Sequence, residues 1–129
     1  MSGCQGGAGD VLILDTIGQL NDIYSIAALV FIGGSLIRHG GQNPIEPAVF
    51  EKPIIFGPYM FNFRDTAQVF VRNNAAVQVP DREALLDKVR LLLSDEAQAV
   101  MLGRNARSVI MDNRGATERN IKAIKEVAR

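Results

Sequence analysis

Two glycine-rich stretches, Gly33-Gly34-Ser35 and Gly40-Gly41-Gln42-Asn43, bracket a loop that follows an apolar run and precedes Pro44. Residues of this type at this spacing suit an anion. Glycines let backbone amides approach a ligand closely, and a helix starting just beyond them offers unpaired N–H groups and a partial positive charge to a phosphate. The same glycines also serve tight turns that bind nothing. Glu46 follows in the first turn after Asn43, where a carboxylate can accept two hydrogen bonds from a ribose diol. It also complements the helix dipole, a role worth about 0.3–1 kcal/mol. A second segment, Asp15-Thr16-Ile17-Gly18-Gln19-Leu20, follows an earlier apolar run. Backbone groups of Gly18 to Leu20 can read a base edge and Leu20 can supply an apolar surface, although Asp15 and Thr16 are also ordinary turn and capping residues. Arg38 and His39 lie within the glycine loop, the arginine suited to bidentate contact with a phosphate or carboxylate and the histidine to donating a hydrogen bond. Both also read as solvent-facing bystanders, and Arg64 has the same standing.

Other chemistry is excluded by composition. His39 is the only histidine and Cys4 the only cysteine, so neither a multi-histidine metal site nor an internal disulfide or cysteine zinc site can form. A histidine-based triad would depend on that one loop residue, and no catalytic set or metal ligand is assigned within the chain. A lone cysteine suits a reducing cytoplasm. Lys+Arg and Asp+Glu balance at 14 each, which leaves no excess positive charge for a nucleic-acid backbone. No apolar run approaches the roughly 20 residues that span a bilayer, and the N-terminus lacks the order of a signal peptide.

These candidate groups need elements to position them. Residues 1–10, with four glycines around Cys4, read as a flexible lead-in or linker, and residues 11–129 as one domain with enough apolar material for one core. Val11–Leu14 is a short apolar run suited to a first strand buried on both faces. Leu20–Ala28 carries Leu20, Ile23, Tyr24 and Ala27 on one helical face. Ala28–Ile32 reads as a second strand, Pro44–Phe50 as a helix capped by Asn43, and Pro53–Phe56 as a third strand. Asn62–Val71 is expected to be helical and Ala75–Val79 a fourth strand. Asp81 should cap a helix through Leu93 with Leu85, Val89 and Leu92 on one side, followed by a helix from Ser94 or Asp95 to about Asp112-Asn113 and another over Ala116–Val127. Apolar strands alternating with helices predict an α/β fold, an open parallel Rossmann-like sheet with flanking helices, whose ligands bind outside the strand C-terminal ends.

Taken together, Asp15-Thr16-Ile17-Gly18-Gln19-Leu20, Gly33-Gly34-Ser35-Leu36, Gly40-Gly41-Gln42-Asn43-Pro44-Ile45-Glu46-Pro47-Ala48, Gly57-Pro58-Tyr59-Met60-Phe61-Asn62-Phe63 and Asn113-Arg114-Gly115-Ala116 resemble, in order and spacing, the C-terminal domain of the bacterial Kdo (3-deoxy-D-manno-octulosonic acid) transferases. The resemblance covers nearly everything after the lead-in, and the combined motifs are specific where a single glycine pair is not. It implies the C-terminal half of a GT-B glycosyltransferase, holding the nucleotide of a CMP-Kdo donor, with no metal or other cofactor required. It further implies an N-terminal domain that binds a lipid A precursor and carries the catalytic base, at the cytoplasmic face of the inner membrane in lipopolysaccharide biosynthesis. Carried over by position, the CMP contacts fall on Gly18, Gln19 and Leu20 and on Asn43, Pro44, Ile45 and Glu46, with Gly33, Gly34, Ser35, Gly40 and Gly41 as further candidates.

The match has departures. Gln19 stands where glutamate is frequent, Gln42 where histidine is usual and Tyr59 where histidine is common. Gln42 keeps donor and acceptor capacity but loses a titratable group. The chain by itself is not expected to transfer sugar. Two other readings stay open on the residues alone: a GT-B donor domain for a UDP-sugar, which can share the glycine loop and ribose carboxylate, and a noncatalytic α/β interaction module whose glycines are turns.

Overall fold

The computed structural model describes residues 11, 13–14 and 20–127; the expected lead-in, 1–10, lies outside them. Three parallel strands form the sheet in the order β1-β2-β3: β1 is Val30–Phe31, β2 Ile54–Phe56 and β3 Val77–Gln78. Hydrogen bonds beyond the assigned strands extend the ladder, from Val30 N–H to Pro53 O at 2.9 Å, Ile32 N–H to Ile55 O at 3.0 Å and Val79 N–H to Phe56 O at 2.9 Å. The helices are α1 (Leu20–Ile26), α2 (Ile45–Val49), α3 (Arg64–Arg72), α4 (Arg82–Ser94) and α5 (Glu96–Val127), with a 3₁₀ turn at Phe61–Phe63 leading into α3.

Parallel strands covered by helices on both faces must be apolar on both faces. In β2 all three residues are 0 % exposed, and burying each such side chain contributes about 1.5–3 kcal/mol before entropy is counted. Alternation divides them. Ile54 and Phe56 join Phe70 of α3, Ala48 of α2 and Ala106, Val109 and Ile110 of α5. Ile55 faces the opposite cluster, with Leu92 of α4, Leu102 of α5 and the half-buried Leu85 and Val89. Helix α4 thus buries the face expected of it. Its cap is also the expected one: the Asp81 carboxylate accepts from Ala84 N–H at 2.8 Å, an interaction worth about 1 kcal/mol.

Apart from shifted element ends, the structure departs from expectation in two places. Among the described residues the sheet has three strands, not four: Val11 and Ile13 are 81 % and 73 % exposed, and neither they nor Leu14 pairs with a strand. A four-residue apolar run becomes a strand only where a neighbour supplies ladder bonds, which hydrophobicity alone cannot guarantee. At the other end, the two helices expected to part near Asp112-Asn113 are the single α5. Asn113 and Gly115 weaken a helix interior, glycine by about 1 kcal/mol, without obliging it to stop.

Helix α5 approaches the turn after α2 very closely at Gly103, where an added Cβ would collide with the Glu51 carbonyl oxygen. Glu51 itself adopts φ 58°, a left-handed conformation that turns the chain from α2 back toward β2. An Arg107–Glu51 ion pair at 3.2 Å spans the same junction, but both side chains are about half exposed, so it adds at most a few tenths of a kcal/mol.

The strand ends are stitched together by two side chains, Ser35 and Gln78. Ser35, 0 % exposed, donates its hydroxyl proton to Ile32 O at 2.6 Å, and its Oγ accepts from Gly57 N–H at 2.8 Å. Tyr59 N–H donates to Ser35 O at 2.9 Å, and Gln78 Nε2 donates to Gly57 O at 3.2 Å. The chain leaving β1, the chain leaving β2 and the last residue of β3 are thereby held in one hydrogen-bonded row.

Two outcomes follow for urea denaturation. Gly103→Ala should destabilise the fold by about 1–3 kcal/mol, because the obstacle is backbone rather than a movable side chain. Ser35→Ala should cost about 1–3 kcal/mol by stranding the buried Gly57 N–H, and a change within about 0.5 kcal/mol of wild type would contradict its bridging role.

Candidate functional site

The loop from Gly33 to Asn43 leaves the carboxyl end of β1 and closes on itself. Gly41 N–H donates to Gly34 O and Gln42 N–H to Gly33 O, both at 3.1 Å, forming a narrow neck. Gly34, Gly40 and Gly41 have φ of 72°, 98° and 79°, values that side-chain-bearing residues rarely adopt. The aromatic ring of His39 packs over Gly34, and Phe61 and Asn62 pack over Gly40. Asn62 fastens the loop from outside: its N–H donates to Gly40 O at 3.1 Å and its Nδ2 to His39 O at 3.2 Å.

This geometry redistributes the roles assigned to the loop. Two of the glycine-region amides close the neck instead of pointing outward, and Gly40, Gly41 and Ser35 are buried within the loop's foundation. Ser35 has its hydroxyl engaged on both sides and is a structural bridge. Gly33 differs: it is exposed, and a Cβ added there would meet nothing within 4 Å. Arg38 and His39 are both exposed.

Helix α2 is shorter than expected at both ends. The Asn43 side chain does serve its start, accepting from Ile45 N–H at 2.9 Å, although the residue in the capping position is Pro44, itself fully buried. Proline at 44 and 47 has no N–H to offer, and Ile45 has spent its own on Asn43. Among the described hydrogen bonds, the Glu46 N–H is left without an acceptor. A five-residue helix also carries little macrodipole. The groups that remain for a ligand are therefore the Glu46 amide and carboxylate, the latter exposed beside the neck, and the open face at Gly33.

Of the second predicted segment, Asp15–Leu20, only Leu20 is among the described residues, as the first residue of α1. Tyr24 packs its ring against Phe50 at the end of α2, centroids 6.1 Å apart at 40°. Burial and, after it, the negative charge of Glu46 push the Tyr24 phenol above its ordinary pKa. Leu20, the first residue of α1, is 44 % exposed, as an apolar surface for a base requires. Gly18 and Gln19 lie outside the described residues. Helix α1 meets α2 through Tyr24 and Phe50, while Asn43, Pro44, Ile45 and Glu46 follow the loop that leaves the carboxyl end of β1, the side on which parallel sheets usually bind ligands.

Arg64 stands apart from this group, in a groove beside α3. Sequence reasoning also passed over Tyr24, Asn62 and Gln78. Tyr24 was read as a core residue and serves also to dock α1 against α2. Asn62, placed in an expected helix, belongs to the 3₁₀ turn that grips the glycine loop; the only available signal was an amide side chain following the Gly57-Pro58 turn. Among the described residues, no three His, Cys, Asp or Glu side chains gather where they could hold a metal ion.

Comparison with known proteins agrees with this architecture. The chain is 35 % identical over 116 residues to the 3-deoxy-D-manno-octulosonic acid transferase of Haemophilus influenzae, covering 89 % of this chain and 27 % of that one. It is 37 % identical over 117 residues to the enzyme of the same name from Bordetella pertussis, covering 91 % and 27 %. The chain therefore spans about a quarter of the length of these relatives. No protein-family model matches it. In structure it is similar to the C-terminal CMP-Kdo binding domain of WaaA from Acinetobacter baumannii, with a TM-score of 0.70 and 31 % identity over 75 % of this chain and 51 % of that one. The chain is thus a homologue of part of the 3-deoxy-D-manno-octulosonic acid transferases, with the α/β fold of the C-terminal domain solved for the Acinetobacter baumannii protein.

Proposed function

We propose that this chain is the donor-binding part of a glycosyltransferase that moves Kdo from CMP-Kdo to a lipid A precursor during lipopolysaccharide biosynthesis. The observation that carries the reading is the exposed Glu46, in the first turn of α2 after the loop that leaves the carboxyl end of β1, where backbone N–H groups have no partner within the helix. A ribose placed there meets a carboxylate for its two hydroxyls, and the phosphate meets the Glu46 amide and the open backbone at Gly33. Leu20, carried in by α1, offers its exposed side chain to the base, with Gly18 and Gln19 preceding it in sequence. Similarity to a CMP-Kdo binding domain supports cytidine over uridine.

In this reading the chemistry is shared with a second domain. No catalytic base is assigned within the chain, and an N-terminal domain would supply both that base and the lipid acceptor's site. The chain's 27 % share of its relatives' length supports such a partner. Among the described residues no helix is long and apolar enough to cross a membrane, and we place the parent enzyme at the cytoplasmic face of the inner membrane, where its lipid acceptor would be reached.

Calorimetric titration with CMP and UDP tests the reading. CMP should bind more tightly than UDP, and Glu46→Ala should weaken CMP by about 10- to 100-fold, as expected for loss of hydrogen bonds to a charged group. Undiminished affinity in the folded variant would remove Glu46 from the site, and equal affinity for UDP would remove the cytidine preference. CMP affinity should also be unchanged by EDTA; a tenfold fall on chelation would contradict the metal-free assignment.

A further inference from the structure

Helix α1 has little hold on the core. Among its described side chains none is buried, and neither apolar core includes an α1 residue. The side-chain interactions described for it with the rest of the chain lie near its carboxyl end. Tyr24 packs its ring against Phe50, centroids 6.1 Å apart at 40°, and Lys52 Nζ donates to Ser25 O at 3.2 Å. The lysine bond is exposed to water, which leaves the aromatic pair, in a favoured tilted arrangement, as the principal anchor.

This pair joins the two elements that carry candidate nucleotide contacts. Leu20 precedes Tyr24 by one turn of α1, and Glu46 precedes Phe50 by one turn of α2, so each pair shares a helical face. Both helices lead directly into the amino ends of parallel strands, α1 into β1 and α2 into β2. Tyr24 and Phe50 therefore meet near the carboxyl ends of the two helices, and Leu20 and Glu46 occupy their first turns. Burial and, after it, the Glu46 charge raise the Tyr24 pKa, which leaves the phenol neutral and within electrostatic reach of the carboxylate. A helix without a buried anchor of its own takes its setting from such a contact. Leu20 stands about 6 Å along the axis from Tyr24, so a shift of the ring on Phe50 moves Leu20 relative to Glu46.

We propose that Tyr24 is a positioning residue for the base of the nucleotide: its ring, seated on Phe50, sets where Leu20 meets the base while Glu46 holds the ribose. The proposal rests on the nucleotide reading above and adds to it the means by which base and ribose recognition are kept in register.

Calorimetric and NMR titrations of the chain with CMP and with ribose 5-phosphate, which has the phosphate and the ribose but no base, test it. Tyr24→Ala should weaken CMP by about tenfold or more and ribose 5-phosphate by less than about threefold. Tyr24→Leu, a milder change at a half-buried position, should show the same base-specific loss. Tyr24→Phe keeps the ring and should bind CMP within about threefold of wild type. Phe50→Ala should reproduce the loss, and combining it with Tyr24→Ala should add nothing further, as expected of two partners in one contact. Equal losses for both ligands, or a Tyr24→Phe variant as weak as Tyr24→Ala, would overturn the proposal. If the wild-type chain binds CMP through Glu46 and the folded Tyr24 variants bind it equally well, this proposal alone fails. If folded wild-type chain does not bind CMP, the nucleotide reading fails with it.

Discussion

A single buried hydroxyl, that of Ser35, sets the geometry of the strand ends on which the candidate site depends. By donating to Ile32 O and accepting from Gly57 N–H it fixes the distance between the chain leaving β1 and the chain leaving β2. The first of those chains becomes the glycine loop and Glu46; the second becomes the aromatic turn and α3. Strands of two or three residues supply few ladder bonds of their own, so the row from Ser35 through Gly57 to Gln78 carries much of the work of aligning their ends. A short sheet gains rigidity where a ligand crevice requires it.

The glycines act within that frame in a way their number alone does not suggest. Three left-handed glycines fold the loop tightly enough for its own amides to close the neck, and Asn62 clamps it from the neighbouring turn. The result is a preformed loop with two of its own amides already engaged. Preorganisation of this kind lowers the entropy lost on binding. The Phe61–Asn62 segment also ties the glycine loop to the turn that precedes α3.

Much of the scaffold was legible because its signals are local or periodic. The runs around Val30, Ile54 and Val77 are strands, Asp81 caps α4, and Leu85, Val89 and Leu92 turn inward, all from side-chain chemistry visible within one element. The ring of α1 that packs on α2, the grip of Asn62 and the bridge at Ser35 join residues 21 or more positions apart or depend on exact loop geometry, which spacing does not encode. Val11–Leu14 misled for the opposite reason: an apolar run states that a strand is possible and says nothing of whether a partner is present. Asn43 was legible as a capping side chain, whereas the loss of free amides to the neck was not, since which N–H groups remain depends on closure of the whole loop.

The most direct test of the account is to follow backbone amide resonances as CMP is added. Bound nucleotide should shift Leu20, Gly33 and Glu46 together, leaving α3 little changed, because the first three border the proposed nucleotide crevice. Shifts centred on α3 or on the outer face of α4, with Gly33 and Glu46 unmoved, would contradict the assignment of the glycine loop as the nucleotide site.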